Sequence, residues 1–141
     1  MQHCWKCQKP QRLVALMAEY IEQTDLDDPE EVSEGPFMFK YIEDLPPSLL
    51  HSIRKIQPNF EKEYSRTIGE SYFMNICECE AVFGDYFIHK PGYAFWPISE
   101  HDAEAIVITE FTTESDISIE AEYSYGDTPK FILEHATRSI E

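Results

Sequence analysis

Apolar and polar positions alternate without a break over residues 116–125. Ile117, Ile119, Ala121, Tyr123 and Tyr125 fall on one side; Ser118, Glu120, Glu122 and Ser124 fall on the other. Successive side chains of a strand point to opposite faces, so this pattern predicts a half-buried antiparallel strand with an acidic outer face. Apolar runs over 37–42, 72–76 and 105–111 predict three more strands. Over 12–18 the residues fit two templates. Leu13, Leu16, Met17, Tyr20 and Ile21 make a helical stripe, while 13–18 also reads as a buried strand, which is the favoured reading. Helical spacing returns at Leu49, Leu50, Ile53 and Ile56. That helix opens at Leu45-Pro46-Pro47 with Asp44 as its cap, and Pro58 ends it. Phe60 and Tyr64, four apart, predict a second helix over 59–67 that Gly69 stops. Gly84 reads as a turn, with 85–89 as the return strand of a hairpin begun at 72–76. Pro91-Gly92 is a further turn, and Tyr93, Phe95 and Trp96 after it are expected to pack over that hairpin. Thr128 and Pro129 predict a last helix, with Phe131, Ile132, Ala136 and Ile140 facing inward.

These elements define an α+β protein of one domain, 1–141, with an antiparallel sheet and two to three short helices. Its length suffices to bury a core. From Glu19 to Glu34 there are eight acids and no base, interrupted by Pro29 and followed by Gly35-Pro36. That stretch, 19–36, predicts an exposed acidic loop. The C-terminal part, 105–141, is expected to be rich in strands.

The chain has four cysteines, in two tight pairs: Cys4-Trp5-Lys6-Cys7 and Cys77-Glu78-Cys79. Zinc takes four thiolates or imidazoles in a tetrahedron, and a pair one or two residues apart occupies one edge of it. The two pairs therefore predict one zinc site of Cys4, Cys7, Cys77 and Cys79. It would lie within a knuckle core of 3–17 and 64–97 and close a long loop, where a cross-link removes much unfolded-chain entropy. Two disulfides or plain buried thiols are the alternatives. His3 and His89 are reserve ligands should one cysteine of the second pair not serve. The first residues hold no apolar segment of a secretion signal, so a cytoplasmic location, where disulfides are rare, is the expectation.

The opening Cys4-Trp5-Lys6-Cys7, the later Cys77-Glu78-Cys79, the run Gly84-Asp85-Tyr86-Phe87-Ile88 and the turn Pro91-Gly92-Tyr93 carry a resemblance. Together they resemble a group of small uncharacterised bacterial and mobile-element zinc-ribbon-like proteins. Those share a C-W-x-C opening, a later C-x-x-C, a G-D-[YF]-F-[LI] run and a Pro-Gly-aromatic turn. The resemblance spans roughly 3–17 and 41–97 and implies a zinc-ribbon-like module without a catalytic mechanism. This chain departs from the pattern in its second pair, which is C-x-C, and in an interval to Asp85 one residue short.

Charge narrows the function classes. With 27 acidic and 11 basic residues the net charge is −16. Nucleic acids and anionic membranes need Lys and Arg, so direct binding to either is disfavoured. A basic protein partner is favoured, or solubility alone. Asp85, His89, the neighbours His101-Asp102 and the thiols are the only candidates for chemistry, and no phosphate loop, nucleophile elbow or H-E-x-x-H accompanies them. A non-enzymatic protein is therefore expected. It would be an acidic, zinc-stabilised inhibitor, of immunity or antagonist type, for a basic nuclease or toxin. The contact residues would be Asp25, Asp27, Asp28, Glu120 and Glu122. The alternative is a zinc-ribbon accessory module in DNA or RNA metabolism.

Overall fold

The computed structural model describes residues 2–21, 33–113 and 115–138. In chain order the elements are β1 (Gln2–His3), β2 (Pro10–Gln11), β3 (Met17–Ile21), β4 (Ser33–Asp44), α1 (Pro47–Ile56), β5 (Glu61–Ser65), β6 (Glu70–Ile76) and β7 (Val82–Phe83). There follow α2 (Asp85–Ile88), α3 (Glu100–Glu104), β8 (Val107–Ile108), β9 (Glu120–Tyr125), α4 (Asp127–His135) and β10 (Thr137–Arg138). The architecture is α+β. One antiparallel sheet runs β3-β4-β9 and a second runs β5-β6-β7. β1 pairs with β2, and β8 pairs with β10 in parallel. No helix among the described residues is long and apolar enough to cross a membrane.

The long strand β4 serves two cores. Met38 belongs to a cluster with Cys4, Cys77, Ala81, Phe83, Ile88, Phe95 and Ile132. Its neighbour Phe39 faces the other way, against Ile42, Leu45, Leu49, Ile53 and Phe60. Strict alternation would return Ile42 to the side of Met38. It does not, because Tyr41 takes a left-handed φ of +52° and the register with β9 slips between Lys40 and Asp44. A bulge of this kind flips the side-chain parity of everything after it.

A strand is expected over 13–18, yet it begins only at Met17. Over 12–14 buried side chains take the place of a ladder. The Val14 N–H donates to Asn75 Oδ1 at 2.7 Å, and Asn75 Nδ2 donates to Val14 O at 3.0 Å. Gln57 Nε2 donates to Arg12 O at 2.9 Å. Asn75 is fully buried, so these bonds satisfy a backbone that water does not reach.

α1 forms as the spacing predicts, with Leu49 and Ile53 buried one turn apart and Arg54 and Lys55 favourably placed in the last turn. Its cap position is Pro46, and Asp44 instead ends β4. The second helix, expected over 59–67, is a strand. β5 pairs with β6 residue for residue around Gly69, whose φ is +80°. Phe60 is buried and stacks on Phe73, but Tyr64 is exposed, so the pair four apart never shares an apolar face. Hydrogen bonding to β6 outweighs a weak helical pattern.

The return strand expected over 85–89 is displaced in the same way. β7 makes that pairing, and α2 follows as one helical turn after Gly84. Helical spacing turns Asp85, Ile88 and His89 to the buried side. The strand expected over 105–111 shrinks to β8. The strand expected over 116–125 begins at Glu120. Ile119 and Ala121 pack inward as their alternation implies, Ile117 is exposed, and Tyr125 is 74% exposed beyond the edge of the core. α4 buries Ile132, while Phe131 and Ala136 are half-buried; its cap position is Gly126 rather than Thr128. Ile140 lies outside the described residues. Of the expected acidic loop, Glu19 and Ile21 belong to β3 and Ser33 to Pro36 belong to β4; 22–32 lie outside the described residues.

Candidate metal centre

Each cysteine pair sits at the tip of a tight antiparallel turn. In the first, between β1 and β2, the Cys4 N–H donates to Lys9 O at 2.8 Å and the Gln8 N–H donates to Cys4 O at 3.0 Å. The N–H groups of Lys6 and Cys7 point at Cys4 Sγ, at 3.4 and 3.5 Å. In the second, between β6 and β7, the Cys77 N–H donates to Ala81 O and the Glu80 N–H to Cys77 O, both at 2.8 Å. The second turn closes one residue sooner, as C-x-C demands. Each turn resolves its curvature in the same place. Gln8 follows Cys7 with φ +66°, and Glu80 follows Cys79 with φ +73°.

The two tips face each other. Cys4 Sγ lies 3.6 Å from Cys79 Sγ, and Cys7 Sγ lies 3.5 Å from Cys77 Sγ. All four sulfurs fall within 4.8 Å of one another, so the four cysteines could hold one metal ion. All are free thiols, Cys4 and Cys77 buried, Cys7 and Cys79 half-buried. Trp5 Nε1 donates to Val82 O at 3.1 Å and clips the tips together. His3 and His89 are not in this group; the four thiols form it unaided.

The thiols are electrostatically unequal. Burial works against the Cys4 thiolate, but donation from the Cys7 and Lys6 N–H groups and the neighbouring thiols lowers its pKa to about 6. At Cys77 the Cys79 N–H favours the thiolate, yet burial and the adjacent thiols Cys7, Cys79 and Cys4 prevail and push it up to about 12. Four thiolates this close repel one another, and a divalent cation among them removes that conflict.

The expected partner-binding residues divide. Glu120 and Glu122 are exposed on β9, at the edge of its sheet; Asp25, Asp27 and Asp28 lie outside the described residues. Sequence reasoning missed two acids that join them. Glu120 stands opposite Asp44 in the ladder, and hydrogen bonding and repulsion from Glu43 raise its pKa. Of the candidates for chemistry, His101 and Asp102 are exposed on the short α3, whereas Asp85 is buried on α2 and His89 is buried at its C-terminal cap.

Compared with protein families, curated proteins and solved structures, the chain matches none.

Proposed function

We propose that this is a zinc-stabilised binding protein that docks through an acidic face onto a basic protein such as a nuclease or toxin, and blocks it. The cysteine geometry supports the zinc assignment. Thiolates at the usual Zn–S length of ~2.3 Å sit about 3.8 Å apart in a tetrahedron. The cross-pairs at 3.5 and 3.6 Å reach that spacing with a slight expansion. Four protein ligands leave no open position for a substrate, so zinc here would be structural.

The observation that carries the docking role is the gathering of Glu43, Asp44 and Glu120 at one end of the β4-β9 ladder, with Glu122 two residues along. Like charges held side by side cost stability, and a basic partner would relieve that cost while the field speeds its approach. The zinc-ribbon resemblance is compatible with an accessory role on nucleic acid, but a net charge of −16 opposes it.

The test combines metal analysis, partner capture and charge reversal. The purified protein should carry one zinc per chain. A captured basic partner should bind the Glu120→Lys/Glu122→Lys protein at least tenfold more weakly, mainly through a slower on-rate, with added salt mimicking the effect. Salt-independent partner binding that survives the double reversal would refute the docking role, and firm DNA binding would favour the accessory reading.

A further inference from the structure

A second site lies away from the thiols, where the bulge of β4 meets α2. It is a cleft of about 290 Å³, lined among others by Lys40, Tyr41, Asp85, His89, Lys90 and Trp96. That volume falls just below the ~300–1,000 Å³ usual for drug-sized ligands, which suits a small one. We propose that this cleft binds a small organic anion bearing a flat ring, with its acidic group taken by Lys40 and Lys90 and its ring against Trp96.

Four observations converge on it. The first is backbone strain. Tyr41 adopts a left-handed conformation costly for a residue with a Cβ, and its N–H donates to Asp85 Oδ2 at 2.6 Å. The resulting bulge lets Lys40 and Tyr41, consecutive in the chain, line one cleft. Bulges that re-aim side chains are common beside functional sites.

The second is cationic. In a chain with 11 basic and 27 acidic residues, two lysines line this one cleft. Neither makes an ion pair with a described residue; Lys90 Nζ sits 4.9 Å above the Tyr86 ring. Glu122 stands opposite Lys40 in the ladder, and Asp85 lines the cleft with both lysines. Asp85 accepts from the Tyr41 N–H; burial raises its pKa to about 6, against that hydrogen bond and the charge of Lys40, which lower it.

The third is His89. It is only 8% exposed, and its ring packs on Phe95. Its ring nitrogens make no hydrogen bond to a described residue, yet no sealed polar atom lacks a partner. The nitrogens are therefore not sealed from solvent, and His89 is among the residues lining the cleft. Burial, aided by Lys40, lowers its pKa to about 4, so at neutral pH it presents one donor and one acceptor. The fourth is the wall: Trp96 is 41% and Tyr86 65% exposed, flat faces suited to stacking a ring.

The proposal uses no residue of the metal centre or the acidic face, so it stands or falls independently of them. Binding to the unaltered protein would be followed by isothermal titration calorimetry while adding adenosine monophosphate, phenylacetate, adenosine or inorganic phosphate. We expect a saturable change with adenosine monophosphate if the site takes phosphate, with phenylacetate if it takes carboxylate, and a weaker response to adenosine and inorganic phosphate. Lys40→Ala and Lys90→Ala, each confirmed folded by circular dichroism, should weaken binding about tenfold, the loss of one charged hydrogen bond. Lys62→Ala, on β5 outside the cleft, should leave it unchanged. No saturable response to either ring-bearing anion, or unaltered affinity in both cleft variants, would overturn the proposal.

Discussion

Asp85 and His89 lie four residues apart on one helical turn, and burial moves their pKa values in opposite directions. Asp85 rises from 3.8 to about 6, so its contribution to stability is full below pH 3.8 and is lost as pH climbs through 6. His89 falls from 6.5 to about 4, so its contribution is full above pH 6.5 and is lost as pH drops toward 4. Each amounts to roughly 3 kcal/mol, and between pH 4 and 6.5 they nearly cancel. Asp85→Asn should unmask the histidine, making the protein less stable as pH falls through that window. His89→Gln should do the reverse. Denaturant midpoints across the window read this directly, and parallel profiles for both variants and the parent would contradict it. The knuckle turns make a second prediction at this scale. Gln8 and Glu80 occupy left-handed φ that glycine adopts freely. Gln8→Gly or Glu80→Gly should therefore raise stability by about 1 kcal/mol, seen as a higher melting temperature.

Among the elements, the backbone of Val14 depends on Asn75 rather than on a strand partner. Asn75→Leu would leave the Val14 N–H and C=O unsatisfied beside a greasy side chain, at a cost of about 3 kcal/mol. Melting temperature measures the loss, and faster hydrogen exchange at the Val14 amide localises it. The edge strand β9 separates its two faces more sharply. Ile119, just ahead of it, packs on the core around Leu49 and Phe60, so Ile119→Asp should cost several kcal/mol and promote aggregation. Glu120→Lys faces Glu43 and Asp44 instead; it should fold normally and melt no lower than the parent. The opposite ranking of those two variants would mean that the register between β4 and β9 is misassigned.

For the whole molecule, the thiol cluster ties β1 and β2 to the β6-β7 turn across some 70 residues of chain. Cys4→Ser or chelation should release both turns together. Hydrogen exchange should then speed up in β1-β2 and β6-β7, with a loss of several kcal/mol in stability, since one missing ligand uncouples the other three. Protection retained in both turns after metal removal would make the cluster dispensable. Salt should act in the other direction. The ion pairs found among the described residues are exposed or partly exposed, and the chain repels itself at −16. Raising ionic strength should therefore raise the melting temperature.

The sequence by itself determined the α+β class, the pairing of all four cysteines into one cluster, helix α1 and the inward side of Ile119 and Ala121. Each rests on covalent spacing or on a local period that burial reinforces. Tertiary structure decided the rest. Tyr64 lies in a strand, with Phe60 just ahead of it, because β6 offers a ladder that a short polar helix cannot match. Asp85–Ile88 form a helical turn because Val82–Phe83 already close the hairpin. The cleft was illegible in one dimension. Lys40, Asp85 and His89 meet only through a left-handed Tyr41, and no alternation of apolar and polar residues encodes a bulge whose anchoring carboxylate lies 44 residues away.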